Sequence, residues 1–120
     1  MGPDRHRPQL ELEFAEHDGV QVVALAGELD VGSVDELEIA LAGASARAGA
    51  RVCLDMSRLA FIDSTGLAAV IRGHLAVVES GGGFAIVVAP GAVRRTLETT
   101  GLMEMLSVVD DRDAALQDLA

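Results

Sequence analysis

The residues best suited to chemistry in this sequence form one short run, Asp63-Ser64-Thr65-Gly66, in which an acid and two hydroxyl groups stand side by side. An apolar run ends just before it, and apolar residues recur after it at helical spacing. The run therefore lies at the start of a predicted helix. The first N–H groups of a helix lack intrahelical partners and the helix dipole is positive there, so a phosphate is stabilised at that point. Gly66 leaves room for close approach.

Ser64 has no base to make it a catalytic nucleophile, which needs one within hydrogen-bond reach. His74 is ten residues along the same predicted helix, about 15 Å away at 1.5 Å per residue. His6 and His17 lie in the N-terminal tail and in a hairpin turn. The segment also lacks the G-x-S-x-G turn of hydrolases. We therefore predict no catalytic residue, and Ser64 is either a site that another protein phosphorylates or a helix cap only.

Three acids, Asp30, Asp55 and Asp63, are each predicted at or just after the carboxyl end of a strand, the edge where open α/β sheets bind ligands. A magnesium-dependent aspartyl-phosphate receiver would fit the length of the chain. Such a receiver needs paired acids after its first strand and a lysine after its fifth, and all nine basic residues here are arginines. The absence of lysine also excludes a phosphate-loop NTPase and a Schiff-base enzyme. We predict no metal site and no cofactor.

Composition places the chain among small globular proteins. With 120 residues, 50% of them hydrophobic, it can bury one core and is predicted to be a single domain. A formal charge of −10 repels nucleic acid and anionic lipid and indicates either a protein partner with a basic surface or no specific partner. The single cysteine, Cys53, lies in an apolar strand, and no apolar run approaches the roughly 20 residues of a membrane span. We expect a soluble, cytoplasmic protein.

The first third of the chain predicts a hairpin and a helix. Residues 1–9 are polar and are predicted to be a disordered lead-in to a domain over residues 10–120. Apolar and acidic residues alternate from Leu10 to Phe14, which predicts a strand with one solvent-exposed face. Asp18-Gly19 predicts a tight turn into a second strand from Val20 that is buried on both faces. Ser33 and Glu36 form a capping-box pattern that predicts the start of the first helix.

Strands and helices alternate in the remaining sequence. A short strand, Val52 to Asp55, is followed by a predicted loop over residues 55–58, and the second helix is predicted to bury Leu67, Val70, Ile71, Leu75 and Val78. Residues 81–83 form a glycine turn, residues 84–88 a strand, and a third helix buries Val93 and Leu97 before Gly101 ends it. Residues 102–106 pack back, residues 107–109 form the last strand, and Asp110 or Asp111 caps a terminal helix that carries Ala114, Leu116 and Leu119. The pattern predicts an α/β domain whose five-stranded sheet is mostly parallel, with an antiparallel N-terminal strand and about four helices.

Two blocks of the sequence resemble the STAS domains of bacterial anti-sigma factor antagonists. They are Gly27-Glu28-Leu29-Asp30 and the stretch from Leu54-Asp55-Met56-Ser57 through Phe61-Ile62-Asp63-Ser64-Thr65-Gly66-Leu67. The spacing to Thr100-Gly101-Leu102 and the closing helix also match, so the resemblance covers residues 10 to 119.

The resemblance implies a switch controlled by a partner. In that family the serine of the second block is phosphorylated by a partner that is both anti-sigma factor and ATP-dependent serine kinase, with a histidine-kinase-like ATPase fold. That serine corresponds to Ser64, and the acids near the partner surface correspond to Asp30 and Asp63, with Thr65 and Gly66 beside them. The unphosphorylated domain would bind the kinase and free the sigma factor, and a metal-dependent serine phosphatase would regenerate it.

An alternative keeps the same fold without the switch. The chain would then be a constitutive STAS subunit of a transporter ATPase complex or of a stress-signalling assembly, and Ser64 would only cap its helix.

Overall fold

The computed structural model describes residues 9–120, which form five strands and five helices. The strands are β1 Leu10–His17, β2 Val20–Leu29, β3 Arg51–Ile62, β4 Gly83–Val87 and β5 Val108–Val109. The helices are α1 Val34–Ala44, α2 Ser64–Glu79, α3 Ala92–Thr99, α4 Leu102–Met105 and α5 Arg112–Leu119. The strands form one sheet in the order β1-β2-β3-β4-β5, in which β1 is antiparallel and the others are parallel. The predicted α/β fold is confirmed, and the extra helix is the single turn α4.

The N-terminal hairpin turns where the sequence predicts it. Asp18 and Gly19 both have positive φ, at 49° and 83°, as a two-residue turn of type I′ requires. The burial of the apolar side chains decreases along β1 from Leu10 to Phe14. Leu10 is buried and Leu12 half-buried, but Phe14 is 65% exposed, so the predicted apolar face of this strand is only partly covered.

Strand β3 is longer than predicted. It continues through the predicted loop at residues 55–58 and ends at Ile62. Its register against β2 shifts twice, between Ala24 and Ala26 and between Gly27 and Glu28, so β3 carries extra residues relative to its neighbour. Such bulges insert polar residues into a strand without ending it, which explains why Asp55 to Arg58 resembled a loop.

Two apolar clusters lie on opposite faces of the sheet. One contains Leu54 with residues of three helices, including Leu37 of α1, Val70 of α2 and Leu97 of α3. The other contains Cys53 of β3 with Ala115 and Leu119 of α5. Among the helices of residues 9–120, α5 is therefore the one that covers this face of the sheet.

Two helix faces differ in detail from the prediction. In α2, Val77 is buried whereas Leu75 and Val78 are each 48% exposed, because the buried face continues from Val70 to Val77, two helical turns on, and leaves the other two at its sides. In α5, Ala115 rather than Ala114 is buried, and Asp111 is the residue that caps the helix.

The predicted lead-in falls outside the described residues except for Gln9, whose carbonyl accepts a hydrogen bond from the Glu28 N–H at 3.0 Å. Within residues 9–120, none of the helices combines the length and apolar character that a membrane span requires.

Candidate functional site

The candidate site lies where β2 and β3 end side by side. The Asp63 N–H, just after β3, donates to the carbonyl of Leu29, the last residue of β2, at 3.1 Å. Because parallel neighbours end at the same edge of the sheet, the loop after β2 and the start of α2 meet there. The sequence predicted this meeting of Asp30 with Asp63 and Ser64.

Asp63 is the N-cap of α2. Its backbone is extended, with φ −104° and ψ −177°, and its Oδ1 accepts the Gly66 N–H at 2.9 Å. Its other oxygen, Oδ2, accepts the Val31 N–H at 3.3 Å. One carboxylate thus fixes the first turn of α2 and ties it to the loop after β2.

Ser64 is the first helical residue and is exposed. Within residues 9–120 its hydroxyl makes no hydrogen bond, and the N–H groups of Ser64 and Thr65 have no acceptor. The capping role that the sequence left open for Ser64 belongs to Asp63. The hydroxyl is therefore free to react, next to two unused backbone donors.

Thr65 and Gly66 lie behind Ser64. Thr65 is half-buried and Gly66 is buried. A Cβ on Gly66 would come 2.8 Å from both Cγ and the carbonyl oxygen of Leu29 and 3.0 Å from Cγ1 of Ile62. Gly66 lets α2 start directly against the ends of β2 and β3, so its part in any surface is indirect.

Asp30 organises the loop after β2. Its Oδ1 accepts the Gly32 N–H at 2.8 Å and its Oδ2 accepts from Nε2 of Gln9 at 2.6 Å. Ser33 turns back into this loop: its hydroxyl donates to the Glu28 carbonyl at 2.8 Å and accepts the Asp30 N–H at 3.1 Å. The predicted capping box is therefore wrong, because the Ser33 side chain holds the loop and makes no bond to the start of α1.

The site is electronegative. None of the ion pairs within residues 9–120 involves Asp30 or Asp63. The first turn of α1, which follows the same loop, adds Asp35 and Glu36. The positive end of α2 therefore lies beside two carboxylates that have no ion-pair partner within residues 9–120, and its free N–H groups partly offset their charge.

The third predicted acid, Asp55, lies elsewhere. It is 7% exposed in the middle of β3, and its Oδ2 accepts Nε and Nη2 of Arg112 from α5 at 3.1 and 3.0 Å. Burial raises the pKa of Asp55, but hydrogen bonds from Ser57 and the Arg112 guanidinium outweigh it and leave the pKa below 3.8. Asp55 thus anchors α5. Among residues 9–120, no three His, Cys, Asp or Glu side chains are grouped to hold a metal ion.

His74 and Cys53 are packing residues. The His74 ring contacts Phe84 edge to face at 5.7 Å between centroids, and its buried Nδ1 has no hydrogen-bond partner within the described chain. Burial, with the Asp55 charge adding to it, raises the pKa of the Cys53 thiol to about 11. The thiol is therefore protonated at neutral pH and unreactive.

Sequence reasoning missed two residues of the site. Val31 is 75% exposed between the two acids and donates its N–H to Asp63, and Gln9 holds Asp30 from 21 positions away. No local pattern marks Gln9. The spacing Asp30-x-Gly32 was a usable signal for the turn that presents Val31, because Asp side chains hydrogen-bond the backbone two residues on.

Comparisons with known proteins agree with this fold. A family model described as "Mlab, STAS domain" matches residues 12–109. An anti-sigma F factor antagonist of Paenibacillus polymyxa is 30% identical over 111 residues, which cover 92% of this chain and 95% of that protein. An anti-sigma-B factor antagonist of Staphylococcus epidermidis is 28% identical over 99 residues, covering 82% and 92%. The crystal structure of an anti-sigma factor antagonist from Mycobacterium paratuberculosis superposes with a TM-score of 0.85 at 28% identity, covering 98% of this chain and 97% of that one.

Proposed function

Because the chain belongs to the STAS domain family, we propose that it is an anti-sigma factor antagonist whose binding is switched by phosphorylation of Ser64. Unphosphorylated, it binds an anti-sigma factor that is also a serine kinase with a histidine-kinase-like ATPase fold, and this frees the sigma factor. Phosphorylated at Ser64, it is released, and a serine phosphatase restores the first form. The protein itself is not an enzyme and acts in the cytoplasm.

The observation that carries the proposal is the state of the Ser64 side chain. The residue is exposed at the first position of α2, and Asp63 does the capping that would otherwise occupy a hydroxyl at this corner. Phosphoryl transfer from another protein requires a hydroxyl that solvent and a partner can reach. Ser64 provides one, and replacing its hydroxyl hydrogen with a phosphoryl group breaks no hydrogen bond that the fold makes within residues 9–120.

The electrostatics of the site support a switch that acts at the interface. A phosphoserine adds a charge of about −1.5 to −2, which the free N–H groups of Ser64 and Thr65 tolerate within the monomer. The same charge comes beside Asp30 and Asp63, neither of which has an ion-pair partner in the described chain. A partner that meets these acids would then face a surface of changed charge and shape. A loss of about 2.7 kcal/mol of binding would lower the affinity roughly a hundredfold.

The proposed partner surface consists of Asp30, Asp63, Ser64 and Thr65. Gly66 supports it from below by letting α2 begin against Leu29.

The experiment is to incubate the protein with its cognate kinase and ATP, and to locate phosphate by mass spectrometry. We expect one phosphate, on Ser64, none on Ser64→Ala, and normal labelling of the matched variant Ser107→Ala, whose serine is exposed and lies outside the proposed partner surface. Phosphate on another residue, or undiminished labelling of Ser64→Ala, would contradict the proposal.

The alternative function, a constitutive subunit of a transporter ATPase complex or stress-signalling assembly, used Ser64 as a cap only. The structure gives the cap to Asp63, which favours the switch. The gene neighbourhood separates the two: a small ATPase of the kinase type supports the switch, and a transporter component supports the structural subunit.

A further inference from the structure

Strand β1 is an edge of the sheet. It pairs with β2 on one side, and no other strand of residues 9–120 lies on its outer side. Backbone groups alternate between the two sides of an antiparallel strand. The carbonyl of Gln9 points toward β2, where it accepts the Glu28 N–H. Residues at the other odd positions of β1 therefore also direct their backbone N–H and C=O groups toward β2. Leu12, Phe14 and Glu16 therefore direct their N–H and C=O groups outward.

An exposed apolar surface lies on the same edge. Phe14 of β1 is 65% exposed and Ile39 of α1 is 75% exposed. Between them runs a groove of about 310 Å³ whose floor includes Val23 and Ala40. Edge strands of monomers are usually blocked by proline, bulges or lysine. β1 is eight residues long, without proline or lysine and with a continuous register against β2.

The side chains of β1 are self-complementary in one register. If two copies of β1 run antiparallel around Phe14, then Phe14 opposes Phe14 and Glu11 opposes His17. Glu13 then opposes Ala15 and Leu12 opposes Glu16, so no carboxylate directly faces another. A shift of two residues in one direction sets Glu13 against Glu13, and a shift in the other sets Phe14 against Glu16.

We propose that β1 pairs with β1 of a second copy in this register, so that two five-stranded sheets join across a two-fold axis at Phe14. The outward groups of Leu12, Phe14 and Glu16 would form about six backbone hydrogen bonds across the axis. The pairing covers the exposed Phe14 ring with its counterpart and extends the apolar groove. It runs along the side of the sheet, whereas Ser64 lies at the carboxyl ends of the strands, so both Ser64 hydroxyls stay accessible.

The charge of the protein sets the expected strength of this dimer. Each chain carries −10, so two copies repel one another over several ångströms, and salt screens that repulsion. The contact is also short, one strand on each side. The dimer should therefore be weak, and should tighten as the salt concentration rises.

Sedimentation velocity of the whole chain from about 10 µM to about 1 mM tests the pairing. We expect a concentration-dependent dimer that strengthens with salt. Phe14→Glu, which places like charges on the axis, should weaken it at least about tenfold. Val78→Glu, a matched change at a 48% exposed position on α2, should leave it unchanged. A wild-type chain that stays monomeric throughout, or equal effects of the two variants, would overturn the proposal.

Cross-linking checks the register with a different readout. Under mild oxidant, Phe14→Cys should form a disulfide dimer rapidly, because its Cα atoms would lie about 5.5 Å apart across the axis. Ile39→Cys lies at a position that is more exposed, at 75% against 65%, but it does not oppose itself and should react slowly. The native Cys53 is buried with its pKa raised to about 11 and does not compete. Equal cross-linking of Phe14→Cys and Ile39→Cys would contradict this register.

Discussion

At the scale of a single residue, Asp63 has a structural role and an electrostatic role. One carboxylate oxygen caps α2 through Gly66, and the other holds the exposed Val31 loop. In the proposed switch, its charge is also one of the two that would lie beside a phosphate on Ser64 and weaken the binding of the partner. The structural role depends on accepting hydrogen bonds and the electrostatic role depends on charge. Replacing Asp63 with alanine or with asparagine therefore separates the two roles.

Asp63→Ala should lower the free energy of unfolding by about 1–2 kcal/mol, because the Gly66 N–H loses its cap and Val31 its tether. Asp63→Asn should cost less than about 1 kcal/mol, since an asparagine oxygen also caps. Urea denaturation measures both. Asp63→Asn should also reduce the loss of kinase binding that phosphorylation causes. Equal destabilisation by the two variants would show that capping is not the structural role of Asp63.

Gly66 lies where close packing against Leu29 excludes a larger side chain. Gly66→Ala should lower the free energy of unfolding by about 1–3 kcal/mol, because its Cβ would overlap Leu29. The control is Gly43→Ala on α1, where a Cβ would meet nothing within 4 Å. That change should raise stability by about 0.5 kcal/mol through helix propensity. Thermal or urea unfolding of the pair measures the difference, and a neutral Gly66→Ala would contradict the packing argument.

At the scale of elements, the link between β3 and α5 is the least visible in the sequence. Asp55 and Arg112 are 57 positions apart, and their paired hydrogen bonds fix α5 on the face of the sheet that it covers. The side chain of Asp55 is 9% exposed and that of Arg112 is 41% exposed. Removing the arginine leaves a nearly buried carboxylate with only Ser57 to satisfy it.

Arg112→Met should therefore lower the free energy of unfolding at neutral pH by about 1–3 kcal/mol. The pKa of Asp55 is lower in the folded protein than its ordinary value of 3.8. Its contribution is therefore fully present above that value and is lost as pH falls through the lowered pKa. Arg112→Met should flatten this acid dependence in urea titrations between neutral and acid pH.

The control is Arg58→Met, whose ion pair with Glu13 joins side chains that are 72% and 75% exposed. Its effect should stay within about 0.5 kcal/mol. If the two arginine variants were equally stable and kept the same acid dependence, the anchoring role of Asp55 and Arg112 would be refuted.

The order and type of most elements could be predicted because they depend on local patterns: alternation in β1, the Asp18-Gly19 turn, and the apolar strands β2 and β4. The errors arose where distant residues decide. Asp55 looked like the end of a strand because its partner Arg112 lies far along the chain. Ser33 looked like a cap because its bonds to Glu28 and Asp30 depend on the path of the loop. Within the site, the position of Ser64 could be predicted, but the tether from Asp63 to Val31 could not.

At the scale of the whole molecule, the fold is a support for a small, charged surface. Ser64 lies at the corner where β2 and β3 end and is not part of the buried core. Its hydroxyl makes no hydrogen bond within residues 9–120. A phosphate there can change what the surface attracts without changing the fold beneath it. The net charge of −10 also keeps non-specific partners with negative surfaces away.

The most direct test of the account compares the binding of two forms to the cognate kinase. Calorimetry would titrate the kinase with the unphosphorylated protein and with the protein phosphorylated only at Ser64, while amide NMR spectra check that the fold is the same. The account predicts an affinity about a hundredfold lower for the phosphorylated form, with spectral changes confined to the surroundings of Ser64. Equal affinity of the two forms, or a loss of affinity accompanied by unfolding, would contradict it.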